Sequence, residues 1–166
     1  MERLWTPWRY SYIAGERTRV ECVFCAIAQE TDRDQENLVV FRSRLAYVVL
    51  NLFPYTSGHL LIVPYDHAPS LTAVSPEVTT EIMRLTREAE RHLTSVYQAP
   101  GFNLGMNLGQ CAGAGVAEHL HMHVLPRWSV DANFMTTVGE TRIMPEDLNV
   151  TWQRVREAFT KTESSL

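Results

Sequence analysis

The sequence predicts an α+β fold, a mainly antiparallel sheet of about five strands with one long helix and one C-terminal helix. Short β-branched and aromatic runs bounded by turn residues carry the strands, and one long stretch with helical apolar spacing carries the main helix. Arg42-Ser43-Arg44, between two such runs, reads as a hairpin turn and makes the first pairing antiparallel.

In chain order, Leu4-Trp5-Thr6-Pro7-Trp8-Arg9-Tyr10 is too aromatic for a solvated arm and is expected to pack on the domain or on another subunit. Gln29 to Asn37 is charge-dense and reads as surface, as does the tail from Lys161 to Leu166. Leu38 to Phe41 and Leu45 to Leu50 form the hairpin strands. Pro54 and Gly58 make Asn51 to Gly58 a loop, and His59 to Val63 resumes as a strand stopped by Pro64. Ser75 and Pro76 then start the long helix. Its positions Val78, Ile82, Leu85, Ala89, Leu93 and Val96 lie on one apolar face, with Glu81, Arg84, Arg87, Glu88, Arg91 and His92 on the solvated side. Phe102 to Leu108 and Leu120 to Leu125 read as two further strands flanking a loop from Gly109 to Gly115, and Pro145 to Thr160 as the closing helix.

Length and charge bound the function. The 166 residues (19.0 kDa) suit a single domain, with a core over 22–127, an N-terminal arm over 1–21 and a C-terminal extension over 128–166. With 15 Lys and Arg against 19 Asp and Glu, the net charge of −4 favours neither nucleic acid nor an acidic membrane as an obligatory partner. Apolar runs such as Ala46 to Leu50 fall far short of the roughly 20 residues that span a bilayer, and the opening residues do not read as a leader. Three cysteines are an odd set for a secreted disulfide scaffold, which places the protein in the cytoplasm. Cys111 carries no reading beyond packing.

The chemistry concentrates in His119-Leu120-His121-Met122-His123-Val124-Leu125. In a strand, side chains alternate, so the three imidazoles share one face while Leu120, Met122 and Val124 face the core. Three stacked rings are costly to bury without a task, and two tasks fit: metal binding, or nucleophilic and acid-base work on a phosphoryl group. Upstream, the glycines of Asn107-Leu108-Gly109-Gln110-Cys111-Ala112-Gly113-Ala114-Gly115-Val116 let backbone amides approach an anion, with Gly115 a position for a positive φ.

Together with Asn51, Gly58-His59-Leu60-Leu61-Ile62-Val63-Pro64 and the cysteines, these residues resemble the histidine triad (HIT) family of nucleotide hydrolases and transferases over most of residues 22 to 127. Leu4 to Arg9, Pro126-Arg127-Trp128 and Asp131-Ala132-Asn133-Phe134 resemble the branch containing bacterial diadenosine tetraphosphate phosphorylases. The resemblance implies that His121 attacks the α-phosphorus of a nucleotide, forming a nucleotidyl-histidine resolved by water or phosphate. It makes His123 the hydrogen-bonding partner of the phosphate or leaving oxygen, His59 an orienting histidine and Asn51 a ribose ligand. Phe24, Ile27, Val49 and Leu61 take the places of base-pocket residues. Where similar proteins carry a hydroxyl or amide before the nucleophile, Gly115 and Val116 stand here, so phosphate binding falls to the backbone of Gly113, Ala114, Gly115 and Val116, aided by Asn107. The lead reading is hydrolysis of adenine nucleotides or dinucleoside polyphosphates; phosphorolysis of diadenosine tetraphosphate and a non-catalytic nucleotide sensor are the alternatives. A homodimer is also implied, with the long helix and its neighbouring strand as interface.

Cys22-Val23-Phe24-Cys25 has a spacing shared by zinc sites and thioredoxin-like redox sites. The redox form needs a buried strand before the pair in a parallel fold, and Arg17-Thr18-Arg19-Val20-Glu21 does not supply one, so structural zinc is the expectation. His67 and His119 are the candidates for the remaining two ligands, the same four that bind zinc in similar family members.

Overall fold

The computed structural model describes residues 22–129, 131, 138–139 and 146–163. The aromatic arm, the segment from Arg17 to Glu21, the residues Ala132-Asn133-Phe134, Pro145 and the end of the tail (164–166) lie outside the described residues.

A seven-residue helix, α1 (Val23–Gln29), opens the described chain. It has no counterpart in the sequence expectation, because two turns are too short for a helical period to show. Its stability comes from outside: Arg42 donates to the carbonyls of Ile27 at 2.9 Å and Glu30 at 3.2 Å, and is itself held by Asp34 at 2.8 Å. Tyr47 donates its hydroxyl to the carbonyl of Phe24 at 2.8 Å. The helix is thereby tied to the first two strands.

Those strands, β1 (Val39–Arg42) and β2 (Ala46–Leu50), form the expected hairpin, with an irregular register between Val39 and Phe41. β3 (Leu60–Pro64) pairs with β2 along its whole length. α2 (Pro76–Tyr97) follows, with Ser75 accepting from the amide of Val78 and Pro76 in the first turn. β4 (Gly101–Gly105), β5 (Met122–Arg127) and α3 (Leu148–Glu163) complete the fold. The sheet order is β1-β2-β3-β5-β4 and every pair is antiparallel. All residues of β2 and β3 are buried, so this α+β sheet is covered on both faces, as the near-continuous apolar runs require.

The register builds one row across the sheet: Val39, Val49, Leu61, His123 and Gly105 are successive partners. Directly paired residues share a face, so Val49 and Leu61 lie beside His123. α1 covers this face through Phe24, while α2 packs on β3 and β5, and α3 on α2 and β1.

Several expectations shift. β4 ends at Gly105, not Leu108, and a short turn at Gln110–Ala112 follows. β5 starts at Met122 because the amide of Leu120 donates to Ala68 at 2.7 Å, holding His119 and Leu120 outside the ladder. α3 runs from Leu148, later than expected. His92 is not solvated: it is 6% exposed and its ring lies 4.4 Å from that of Phe159. One apolar stripe could not reveal this, since the flank of α2 carrying His92 is buried only because α3 docks there.

Candidate functional site

Four histidines converge where β3 and β5 meet. His59, His119 and His121 are 0%, 0% and 5% exposed, and His123 is half-buried. Their bonds fix which nitrogen of each ring carries its proton. His121 directs Nδ1 at the carbonyl of His119 at 2.9 Å; only an N–H can bond there, so Nε2 keeps a free lone pair. Burial lowers the pKa of His121, against the opposing pull of that carbonyl bond. The result is a neutral ring with one nucleophilic nitrogen.

His59 receives the amide N–H of Tyr55 at Nδ1, 3.2 Å away, so its proton sits on Nε2. That Nε2 stands 2.9 Å from Nδ1 of His123 and donates to it, which leaves the proton of His123 on Nε2. His123 thus carries an N–H at Nε2 and His121 a lone pair at Nε2, in neighbouring rings whose centroids are 4.9 Å apart. Burial, reinforced by His123 and His121, lowers the pKa of His59 to about 3. Burial and the neighbouring His121 take His123 to about 4. Both rings are neutral near pH 7, as the relay requires.

Asn51 is a local cap as much as a site residue. Its Oδ1 accepts from the amide of Phe53 at 3.0 Å and its Nδ2 stands 3.3 Å from Nδ1 of His59. Phe24 lies against the triad, its ring 5.5 Å from His119 and 5.0 Å from His121. Val49 and Leu61 lie in the sheet row beside His123, and Ile27 lies one turn along α1 from Phe24.

The glycine loop departs from expectation. Positive φ occurs at Gly109 (83°) and Gly113 (88°), whereas Gly115 was the expected position. The amides of Gly113 and Ala114 already donate to Gln110 and Gly109, at 3.0 and 3.4 Å, so a phosphate meets them only after those bonds open. Asn107 and Val116 are half-buried in the same loop, which begins two residues after the strand partner of His123.

Behind the triad, Cys22, Cys25, His67 and His119 place their ligand atoms within 4.8 Å of one another, a cluster able to hold one metal ion. Nδ1 of His119 lies 3.3 Å from the sulfur of Cys22, and Nδ1 of His67 lies 3.3 Å from that of Cys25. His119 donates Nε2–H to the carbonyl of Pro64 at 2.9 Å, which frees Nδ1 as the ligand atom. Sequence reasoning missed the carbonyl of Pro64 and the amide of Tyr55, since backbone groups leave no residue signature; the hydroxyl of Tyr47 resembled any buried strand tyrosine.

An antiparallel sheet whose strand β5 is entered through alternating histidines, with one neutral imidazole unprotonated at Nε2 and its neighbour protonated at Nε2, has the groups that a class of protein acting on anionic esters or anhydrides needs: a nucleophilic nitrogen and a hydrogen-bond donor. The family model for the HIT domain matches residues 32–130, and the chain belongs to the histidine triad family. It is 42% identical over 159 residues to the AP-4-A phosphorylase of Mycobacterium tuberculosis, covering 91% of this chain and 80% of that one. Over 93 residues it is 31% identical to the asymmetrical bis(5'-nucleosyl)-tetraphosphatase of Schizosaccharomyces pombe, covering 56% of this chain and 50% of that protein. A zinc-bound histidine triad family protein from Mycobacterium smegmatis superposes with a TM-score of 0.71 at 27% identity, covering 88% of this chain and 98% of the other.

Proposed function

We propose that the protein is an enzyme that transfers the adenylyl group of a dinucleoside polyphosphate through His121. The observation that carries the reading is the paired tautomer pattern: a bare Nε2 on His121 beside an N–H on His123. Nε2 of His121 attacks the α-phosphorus, the bond from that phosphorus to the bridging oxygen breaks, and the departing polyphosphate oxygen takes a hydrogen bond from Nε2–H of His123. An acceptor oxygen then attacks the same phosphorus, the phosphorus–nitrogen bond breaks, and His121 returns to its neutral form. The adenine lies among Phe24, Ile27, Val49 and Leu61, with Asn51 at the ribose and the loop of Asn107, Gly113, Ala114, Gly115 and Val116 at the phosphate.

Both acceptors expected from the sequence have a counterpart among the relatives. The 42% identity to a phosphorylase over 91% of the chain favours phosphate, while the shorter match to a tetraphosphatase supports water as the second reading. Incubation with diadenosine tetraphosphate separates them: ADP and ATP form with phosphate as acceptor, AMP and ATP with water. No product under either condition would make the protein a nucleotide sensor.

Zinc suits the Cys/His cluster. Zn–S and Zn–N bonds at tetrahedral angles place sulfur and nitrogen about 3.6 Å apart; one sulfur–nitrogen separation here is 3.6 Å and two are slightly shorter, at 3.3 Å. The metal would fasten the start of α1 to His119, two residues before His121. This is a structural role that leaves the substrate to the chain's own side chains.

A homodimer joined through β4 and α2 is supported by the sheet edges. Trp152 and Arg156 donate to the carbonyl of Val39 and cover the β1 edge, whereas Asn103, Leu104 and Gly105 on the β4 edge are exposed. A single-chain mass by light scattering would refute it. No helix among the described residues is long and apolar enough to cross a membrane, and an odd, sparse set of three cysteines suits the cytoplasm.

A further inference from the structure

The loop between β2 and β3 exposes large hydrophobic side chains beside the reacting groups. Leu52, Phe53 and Tyr55 are 60%, 50% and 45% exposed within four residues of chain. Clustered exposure of this kind marks a binding surface more often than a solvated turn. The ring of Tyr55 is aligned with the site: it lies within 11° of parallel to His123, with centroids 6.4 Å apart, and its centroid is 4.9 Å from that of His59. On the other side of His123, its strand partner Gly105 is exposed, and a side chain there would meet nothing within 4 Å. His123 is therefore half-buried between the Tyr55 ring on one flank and the exposed Gly105 on the other.

The site also has a direction. Phe24 packs against His119 and His121, whereas Tyr55 packs against His59 and His123. If the adenine occupies the Phe24 side and the bond broken lies between His121 and His123, the leaving group departs past His123 toward Tyr55. We propose that Tyr55, with Phe53, is a stacking platform for the nucleobase of the leaving group, so that the enzyme selects substrates carrying two nucleosides over those carrying one. This rests on the adenylyl-transfer reading and adds a second base site to it. Phe53 and Tyr55 offer π-faces, which bind any base by stacking and so would tolerate variation in the second nucleoside.

Steady-state kinetics with diadenosine tetraphosphate and with adenosine 5′-phosphoramidate test the proposal, because both present an adenylyl phosphorus and only the first brings a second base. Tyr55→Ala should lower kcat/KM for the dinucleotide about tenfold more than for the phosphoramidate, mainly through KM, as loss of one stacking partner implies. Tyr55→Phe and Tyr55→Trp should preserve the wild-type ratio. Equal losses on the two substrates, or Tyr55→Phe falling as far as Tyr55→Ala, would overturn the platform and leave Tyr55 a support for His59. Binding supplies a readout free of turnover: in a His121→Ala background, Tyr55→Ala should weaken diadenosine tetraphosphate about tenfold and AMP by no more than about twofold. A wild-type protein that turns over neither substrate sinks the adenylyl-transfer reading, and equal weakening of the two ligands sinks the platform.

Discussion

Nε2 of His59 stands 2.9 Å from Nδ1 of His123, and that single bond decides which face of the second ring is a donor. With Nδ1 of His59 occupied by the amide of Tyr55, the proton on Nε2 has only one direction to go, and His123 is left with N–H at Nε2. His59→Ala removes the constraint and lets His123 adopt the wrong tautomer. The expected outcome is a fall in kcat of about 100-fold with KM changed less than about threefold, since donation to the leaving oxygen matters chiefly in the transition state. A variant that loses affinity while kcat holds would assign His59 to substrate binding instead.

His121→Ala should eliminate turnover, to below about 1% of the unmodified rate, while nucleotide affinity stays within about tenfold. The covalent route disappears, but the side chains proposed to hold the base, Phe24, Val49 and Leu61, are untouched. Trapping a phosphorus–nitrogen adduct by rapid acid-free quench and mass spectrometry checks the same point; an adduct on His123 would reassign the nucleophile.

Elemental analysis should find one zinc per chain, lost in Cys22→Ser and in Cys25→Ser. The cluster joins residues far apart in sequence, so its loss should lower the melting temperature on the order of 10 °C. Equal melting curves before and after chelation would show that the four side chains pack without an ion.

Stability should fall on acidification below about pH 6.5, the ordinary histidine value. His59 and His123 titrate at about 3 and about 4 in the folded protein, below their unfolded values. In the window between, the unfolded chain binds more protons than the folded one, so stability rises with pH and is lost as pH drops. His59→Gln removes one of the groups and should flatten the dependence of melting temperature on pH between 6.5 and 4. An unchanged slope would place the acid sensitivity elsewhere.

The sheet was legible in the sequence because its strands are near-continuous apolar runs, and α2 because it combines an N-cap serine, a first-turn proline and a clean apolar stripe. The period of two drew attention to His119, His121 and His123, but only His123 lies in β5; the bond from the Leu120 amide to Ala68, which holds His119 and Leu120 outside the ladder, left no sign in the sequence. What stayed hidden depends on contacts between elements: α1 exists through Arg42 and Tyr47, and His92 is buried through Phe159. The role of Tyr55 toward His59 passes through a backbone amide, which any residue other than proline would supply.

Gly109 and Gly113, rather than Gly115, are where the loop before the triad depends on glycine, and the one nearer the triad is Gly113. A side chain there would meet nothing within 4 Å, so space does not forbid one; the φ of 88° does. An L residue held in that region costs on the order of 1–2 kcal/mol, and a β-branched one more. The loop can escape the strain only by rotating the peptide that now lets the amide of Gly113 donate to Gln110, which moves the segment leading to Val116. Gly113→Val should therefore lower kcat/KM for diadenosine tetraphosphate at least about tenfold, with Gly113→Ala intermediate and global folding retained by circular dichroism. Gly115→Ser, at a position without positive φ, should be tolerated, since a serine hydroxyl there adds a donor for the phosphate. Kinetics of the three variants under identical conditions decide the matter: if Gly113→Val matches the unmodified protein while Gly115→Ser is crippled, the phosphate is held around Gly115 and the shape of the Gly109 to Gly113 turn is immaterial to it.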